Sequence, residues 1–376
     1  MTAMEKNNKT LNVPHLRFPE FSGEWESTPI STIADIIGGG TPDTSVDEYW
    51  GGNIQWFTPS EIGKEKYAYL SDRTITEAGL KNSSAKLLPQ GTVLLSTRAT
   101  IGECSIATAE CTTNQGFQSL VAKKNNVSSE FLYYIVAKIK REMLRRSCGS
   151  TFLEISANEL KKIHANIPSK AEQEKLVSLL SLIDQRIETQ KKIIEDLKKL
   201  KAAICIFKLK SHCEKEYAIR ELCQSITAKQ YIANEITSEG AYPIIQQGEN
   251  SIAGYTDSLP FLNYKKVILL GDHTLSIYRP ETPFLIATDG IKILKPNEMV
   301  IRDYFYYLLY TFMPEPEGYK RHYSILKDII VPIPNIKMQE SIVDKLLSID
   351  SKLEIEERIL ELQIQQKQYL LNRLFI

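Results

Sequence analysis

Asp272-His273 is the dipeptide in these 376 residues that most invites acid–base chemistry, since an imidazole beside a carboxylate is the usual general-base arrangement. Nothing completes it. No Ser or Cys stands in a recognisable nucleophile context, and a related stretch earlier in the chain has Thr97-Arg98 at the equivalent place. His164, His212 and His322 lack the paired spacing of a metal site. Pro42-Asp43 is not followed within thirty residues by the Asp/Glu-x-Lys of a nuclease metal centre. Gly38-Gly39-Gly40-Thr41-Pro42 can take left-handed backbone or admit a ligand closely, but no Gly-Lys-Ser/Thr or Gly-x-Gly-x-x-Gly follows to cradle phosphate. An Asn-Pro-Pro-aromatic motif is absent too. His273 therefore reads as polar recognition or turn structure, not catalysis.

The element that must position any surface is Ile167 to Leu209. It opens Ile167-Pro168-Ser169-Lys170 and then runs from Ala171 without Gly or Pro. Apolar residues recur at Leu176, Leu180, Ile183, Ile187, Ile194, Leu197, Leu200, Ile204 and Phe207, mostly in steps of three and four. That spacing predicts a helix seam packed on another helix. At 1.5 Å per residue the helix would reach roughly 55 Å, the length of a strut or of one coiled-coil arm.

A gapless shift of 166 positions finds the other arm. Ile167-Pro168 falls on Ile333-Pro334, Gln173-Glu174 on Gln339-Glu340, and Ile183-Asp184 on Ile349-Asp350. Leu176, Val177 and Leu180 fall on Ile342, Val343 and Leu346, so the chain is internally duplicated. The second helix is expected from about Lys337 to Ile376. Glu356, Gln363 and Lys367 interrupt its seam, so its far end is expected to fray or to await a partner.

The duplication extends to the segments before the helices. Turn-flanked strands are expected at Thr92 to Ser96 and Cys104 to Ala107, then a helix at Glu130 to Arg146 whose basic end reads first as a solvated face and second as a phosphate-facing patch. A short helix, Glu159 to Lys162, leads to the strut. Val267 to Thr274 parallels Val93 to Arg98, Thr288 to Lys292 parallels Asn114 to Gln118, and Tyr306-Tyr307-Leu308 parallels Tyr133-Tyr134-Ile135. The order is module, strut, module, strut. The scaffold agrees between copies while the polar turn residues differ. Tyr49 to Pro59 is aromatic and turn-punctuated, either core around a turn or a polar presenting loop.

Lys plus Arg and Asp plus Glu number 46 each, so the formal charge is zero and the bulk basic signature of a stand-alone nucleic-acid binder is missing. Six cysteines form no Cys-x-x-Cys pair, which points to a reducing compartment. Met1 to Thr10 is polar, without an apolar signal region, and no run of eighteen apolar residues occurs, so a soluble cytoplasmic chain is expected.

Taken in order, these residues resemble the specificity subunit of type I restriction-modification systems, over essentially the whole chain. The resemblance is carried by Gly38 to Pro42, Tyr49 to Ser60, Leu95 to Gly102 with Thr113 to Gln118, Gly271 to Thr274 with Thr288 to Gly290, the two Ile-Pro-x4-Gln helix starts and the closing Leu374-Phe375-Ile376. It implies an α+β fold with two pseudo-twofold-related target-recognition domains and two long antiparallel coiled-coil helices. The limits would be an arm at 1–20, domains at 21–168 and 213–334, and spacer helices at 169–212 and 335–376.

The implied function is non-catalytic reading of a bipartite duplex, one half-site per domain, with the helix pair as the ruler between them. Two modification (methyltransferase) subunits and two restriction (endonuclease/translocase) subunits would dock. S-adenosylmethionine, ATP and Mg would sit only on those partners, with no cofactor here. Base readout uses Asn or Gln for adenine and Arg or Lys for guanine. Candidates in the first domain are Arg98, Asn114 and Gln115, with Thr41, Thr58 and Thr97 for phosphate or methyl contacts. In the second they are Gln247, Asp272, His273, Thr274 and Lys292, with Arg321 and His322 as outer contacts. Thr97 and Asp272 are the candidates whose turn positions most suit buried turn-formers. A coiled-coil scaffold with two protein-binding modules is the competing reading.

Overall fold

Where apolar residues recur every three or four positions, the computed structural model has its two long helices, Lys170–Ser211 and Ile336–Leu374. It describes residues 12–149, 153–211, 215–248, 250–316, 318 and 321–376. The first eleven residues of the expected arm, together with His212 and Cys213, lie outside the described residues. Contacts divide the chain into two units, one of 1–189 with 360–376 and one of 190–359.

In the first unit, the strands Ala34–Gly38, Gln118–Ala122, Val93–Leu95, Cys104–Ala107 and Tyr67–Ala68 lie side by side in that order. A second sheet joins Arg73–Ile75, Trp50–Phe57 and Cys111–Thr113. Val93, Leu94 and Leu95 are all fully buried, because their strand has core on both faces. The helix Ser129–Arg146 starts at Ser128, whose hydroxyl caps Phe131 N–H at 3.1 Å. It lays Phe131, Leu132, Ile135 and Ile139 onto the sheet and onto Leu176, Leu180 and Ile183 of the long helix. Glu26–Pro29 pairs antiparallel with His164–Ile167, closing the module beside the helix start. The described part of the expected arm is held, since Arg17 forks the buried Glu172 carboxylate with two bonds of 2.8 Å.

The second unit repeats the plan with less material. Cys223–Ile226, Ile291–Pro296, Ile268–Gly271 and Ile277–Tyr278 form one sheet, and Ile252–Thr256, Tyr242–Ile245 and Leu285–Ile286 another. Arg302–Thr311 is its aromatic helix, and Lys215–Ala218 closes on Ile330–Ile333. Its core joins Tyr304, Phe305 and Leu308 to Cys205, Leu209, Ile342 and Leu346 of the long helices.

The repeated Pro and Gln have one purpose in both copies. Gln173 Nε2 donates to Pro168 O at 3.1 Å and Asn126 O at 3.0 Å. Gln339 Nε2 donates to Pro334 O and Met299 O, each at 2.9 Å. Each helix start is thereby bonded to its own module.

In the second unit the long helices run antiparallel. Gln190 meets Glu356, Lys201 meets Asp350 at 2.6 Å, and Leu209 packs with Ile342. This is the expected α+β architecture of two sheet regions and two long helices packed together.

Three expectations are corrected. Leu200 and Phe207 are not on the seam: they are 49% and 64% exposed, while Cys205 and Leu209 turn inward, as does Lys201 one turn before them, its side chain 15% exposed. The helix is phased by Lys201 reaching Asp350, which an apolar count misses. The end of the second helix is not left to fray. Leu374 and Phe375 are buried, and Phe375 stacks on Phe131 at 5.6 Å and stands edge-on to Trp25 at 6.0 Å. Gly39 and Gly40 make room for protein: a Cβ on Gly39 would lie 2.0 Å from Asn114 O, and one on Gly40 2.2 Å from Ser84 Oγ. Tyr49 to Pro59 resolves as a strand with Trp56 and Phe57 in the core.

Candidate nucleic-acid interface

In the first unit the chain leaves the Val93–Leu95 strand into a turn that bonds its own short polar residues. Ser96 Oγ donates to Arg98 O at 3.1 Å and lies 2.9 Å from Thr100 Oγ1, while Thr97 N–H donates to Gly116 O at 2.9 Å. With the backbone so held, Arg98 is exposed, and its guanidinium lies 4.0 Å from Glu154. Ala99 has φ +63°, the left-handed region that non-glycine residues enter at a cost. The facing turn is fixed by Asn114 Oδ1, which accepts Gly116 N–H at 2.8 Å. Gln115 is exposed at its tip, and its amide oxygen accepts the Thr41 hydroxyl. Between the turns lies a cleft of about 250 Å³ lined by Pro59, Arg98, Ala99, Asn114, Gln115 and Gly116.

The second unit builds its counterpart after Ile268–Gly271. Leu275 has φ +56°; Ala99 and Leu275 are the two non-glycine residues with positive φ among the described residues, one in each of these turns. Thr274 is exposed, its hydroxyl 2.8 Å from Ser276 Oγ. Gln247 Oε1 accepts His273 N–H at 3.1 Å. Lys292 Nζ lies 3.6 Å from Asp272, and Arg321 lies 3.9 Å from Asp289 at the exposed rim. Gln247, Asp272, His273, Lys292 and His322 are thus gathered in one place.

Three candidates are corrected by burial. Thr97 is fully buried, with its hydroxyl 3.3 Å from Gly116 O. Asp272 is 1% exposed, and its carboxylate accepts Tyr323 N–H at 2.8 Å as well as facing Lys292. His322 is fully buried, its Nδ1 3.1 Å from Asp272 O. None of the three presents a side chain to a ligand; they hold the turns. Thr58 is committed as well, capping a short turn with Glu61 on both its N–H and its hydroxyl. The Asp272 carboxylate is held in the turn by Tyr323 N–H and Lys292.

The basic end of the Ser129–Arg146 helix is answered by acids. Lys140 pairs with Glu103 at 2.6 Å, Arg145 and Arg146 pair with Glu142, and Arg146 also pairs with Glu159. Glu142 is drawn down to about 2 by its bonds to Arg145 and Arg146.

Beneath each module lies a polar joint built from residues that belong to no recognition turn. Asp184 accepts the Tyr134 hydroxyl at 2.5 Å, pairs with Lys367 at 2.6 Å, and has Lys66 at 3.8 Å. Burial pushes the Lys66 ammonium below its usual range, opposed by Asp184. Burial, then the bond to Asp184, pushes the Tyr134 phenol up. In the second unit Asp350 accepts the Tyr307 hydroxyl at 2.6 Å and pairs with Lys201 at 2.6 Å. The signal was present: Tyr-Tyr and Ile-Asp both recur in the repeat.

Two copies of one α+β module, each bonded to a long helix and each ending in a strained polar turn, define a duplicated recognition protein. The family model described as the type I restriction modification DNA specificity domain matches residues 22–199 and again 214–365, and the chain belongs to that family. Over 189 residues it is 42% identical to the MjaIX specificity subunit of Methanocaldococcus jannaschii, spanning 49% of this chain and 43% of the relative. The EcoR124I/EcoR124II specificity subunit of Escherichia coli is 26% identical over 176 residues, 45% of this chain and 43% of the relative. Both matches therefore span less than half of the relative's length. The MjaVIII specificity subunit is 22% identical over 424 residues, covering 98% and 95%. Among solved structures, the type I restriction-modification S subunit from M. genitalium has a TM-score of 0.59 at 18% identity, covering 97% of this chain and 99% of that one.

Proposed function

We propose that the chain is a DNA-reading specificity subunit of a type I restriction-modification complex, with recognition domains at 21–168 and 213–334 each taking one half of a bipartite duplex target. Modification and restriction subunits dock on it in the cytoplasm. S-adenosylmethionine, ATP and Mg belong to those partners. Among the described residues no three His, Cys, Asp or Glu side chains gather as a metal site, and no helix is long and apolar enough to cross a membrane. The observation that carries the reading is the pairing of Ala99 and Leu275: each matched module holds an exposed polar turn at the same place in its fold by a left-handed residue. The candidates with surface to offer are Arg98, Asn114 and Gln115 with Thr41 in one domain, and Gln247, His273, Thr274, Lys292 and Arg321 in the other.

Mapping methylated adenines in the host genome tests this directly. A single two-part motif that disappears when the gene is deleted supports it; an unchanged pattern rejects it. Exposed Leu70 and Leu259, at 80% and 83%, favour a second reading in which both modules bind proteins. Purification of the tagged chain separates the two: a methyltransferase in two-to-one ratio fits the first, and a chain with other protein partners and no DNA footprint fits the second.

A further inference from the structure

We infer that the first domain reads a guanine, through hydrogen-bond donors alone, at the base pair facing the Arg98–Asn114 cleft. This rests on the DNA-reading role proposed above and names the base class that the site takes.

An asparagine selects adenine by offering its carbonyl and its amide side by side, one accepting from N6 and one donating to N7. At Asn114 the carbonyl is already engaged. Its partner is the backbone N–H of Gly116 at 2.8 Å, and because that partner can only donate, the engaged atom is the oxygen. With that oxygen engaged, what Asn114 adds to the cleft it lines is its two amide N–H groups. Gln115 at the tip has its carbonyl on the Thr41 hydroxyl, and Arg98 across the cleft carries donors only. Guanine is the base whose major-groove edge shows two adjacent acceptors, N7 and O6. Adenine and cytosine each present a donor, and thymine presents one acceptor beside a methyl. A surface of donors fits guanine best.

The test uses the full chain assembled with its modification subunits and a randomised duplex pool, selecting bound sequences for wild type and Asn114→Asp. The aspartate keeps the bond to Gly116 N–H and the side-chain shape, but replaces the amide donor with an acceptor. The expected result is a guanine in one half-site whose preference falls about tenfold or more in the variant, with the other half-site unchanged. Independently of any variant, 7-deazaguanine at that position should weaken wild-type binding. Selection of adenine at the position altered by Asn114→Asp overturns the inference, as does a variant that keeps every base preference. A wild-type chain that selects no sequence at all overturns the DNA-reading role itself and this inference with it.

Discussion

Asp184 sits at 14% side-chain exposure between Lys66, Lys367 and the Tyr134 hydroxyl, so removing its charge strands two ammonium groups at once. Asp184→Asn is expected to lower the stability of the first unit by about 2–3 kcal/mol, read from urea unfolding. A double-mutant cycle with Lys367→Met should return a coupling above about 1 kcal/mol; additive losses would mean that the pair contributes nothing of its own. Burial also governs the thiols. Cys104 and Cys111 are pushed from the usual 9 up to about 12, whereas Cys148 is exposed. Since the folded value is the higher, their contribution is fully present below about pH 9 and is lost as pH rises toward 12. Denaturant midpoints should therefore fall on the alkaline side, and iodoacetamide on native protein should label Cys148 before either buried thiol. At this scale residue type and turn position found Arg98, Asn114 and Gln115, which line the cleft. The same criteria also gave Thr97, Asp272 and His322, because a turn position does not say which way a side chain faces.

Among the elements, the second long helix shows how far its seam can be read. Phe375 is 3% exposed between Phe131 and Trp25, so Phe375→Ala should cost about 3–5 kcal/mol and raise hydrogen exchange in the Ser129–Arg146 helix. Unchanged exchange there would show that the contact is not holding the helix. Leu200→Ala, at an exposed position, should stay within about 0.5 kcal/mol of wild type, whereas Leu180→Ala should cost about 2–5 kcal/mol. Helix existence and length followed from periodicity, and both ends fell within two residues of expectation. Phase did not, because Lys201, Gln190 and Glu356 face inward for polar partners that only the folded pair supplies.

For the molecule as a whole, the repeat was legible because Pro, Gln, Glu and Asp recur at fixed separation, and periodic apolar residues alone would not have shown it. The sheets were less so, since most of the strands have two to five residues and leave little periodicity to find. If each module reads on its own, changes at Arg98 or Gln115 should alter one half of the methylated motif, and changes at Gln247 or Thr274 the other. A substitution that altered both halves together would argue against independent reading.

Asp184 and Lys201 occupy the same repeat positions as Asp350 and Lys367, as Gln190 does with Glu356, 166 residues on. Yet the bonds are Asp184 to Lys367 and Lys201 to Asp350. Each copy carries both charges and gives them away, receiving its counter-ions from its sibling. Neither repeat's Asp and Lys therefore neutralise each other, and a charge changed in one repeat removes a counter-ion from the other.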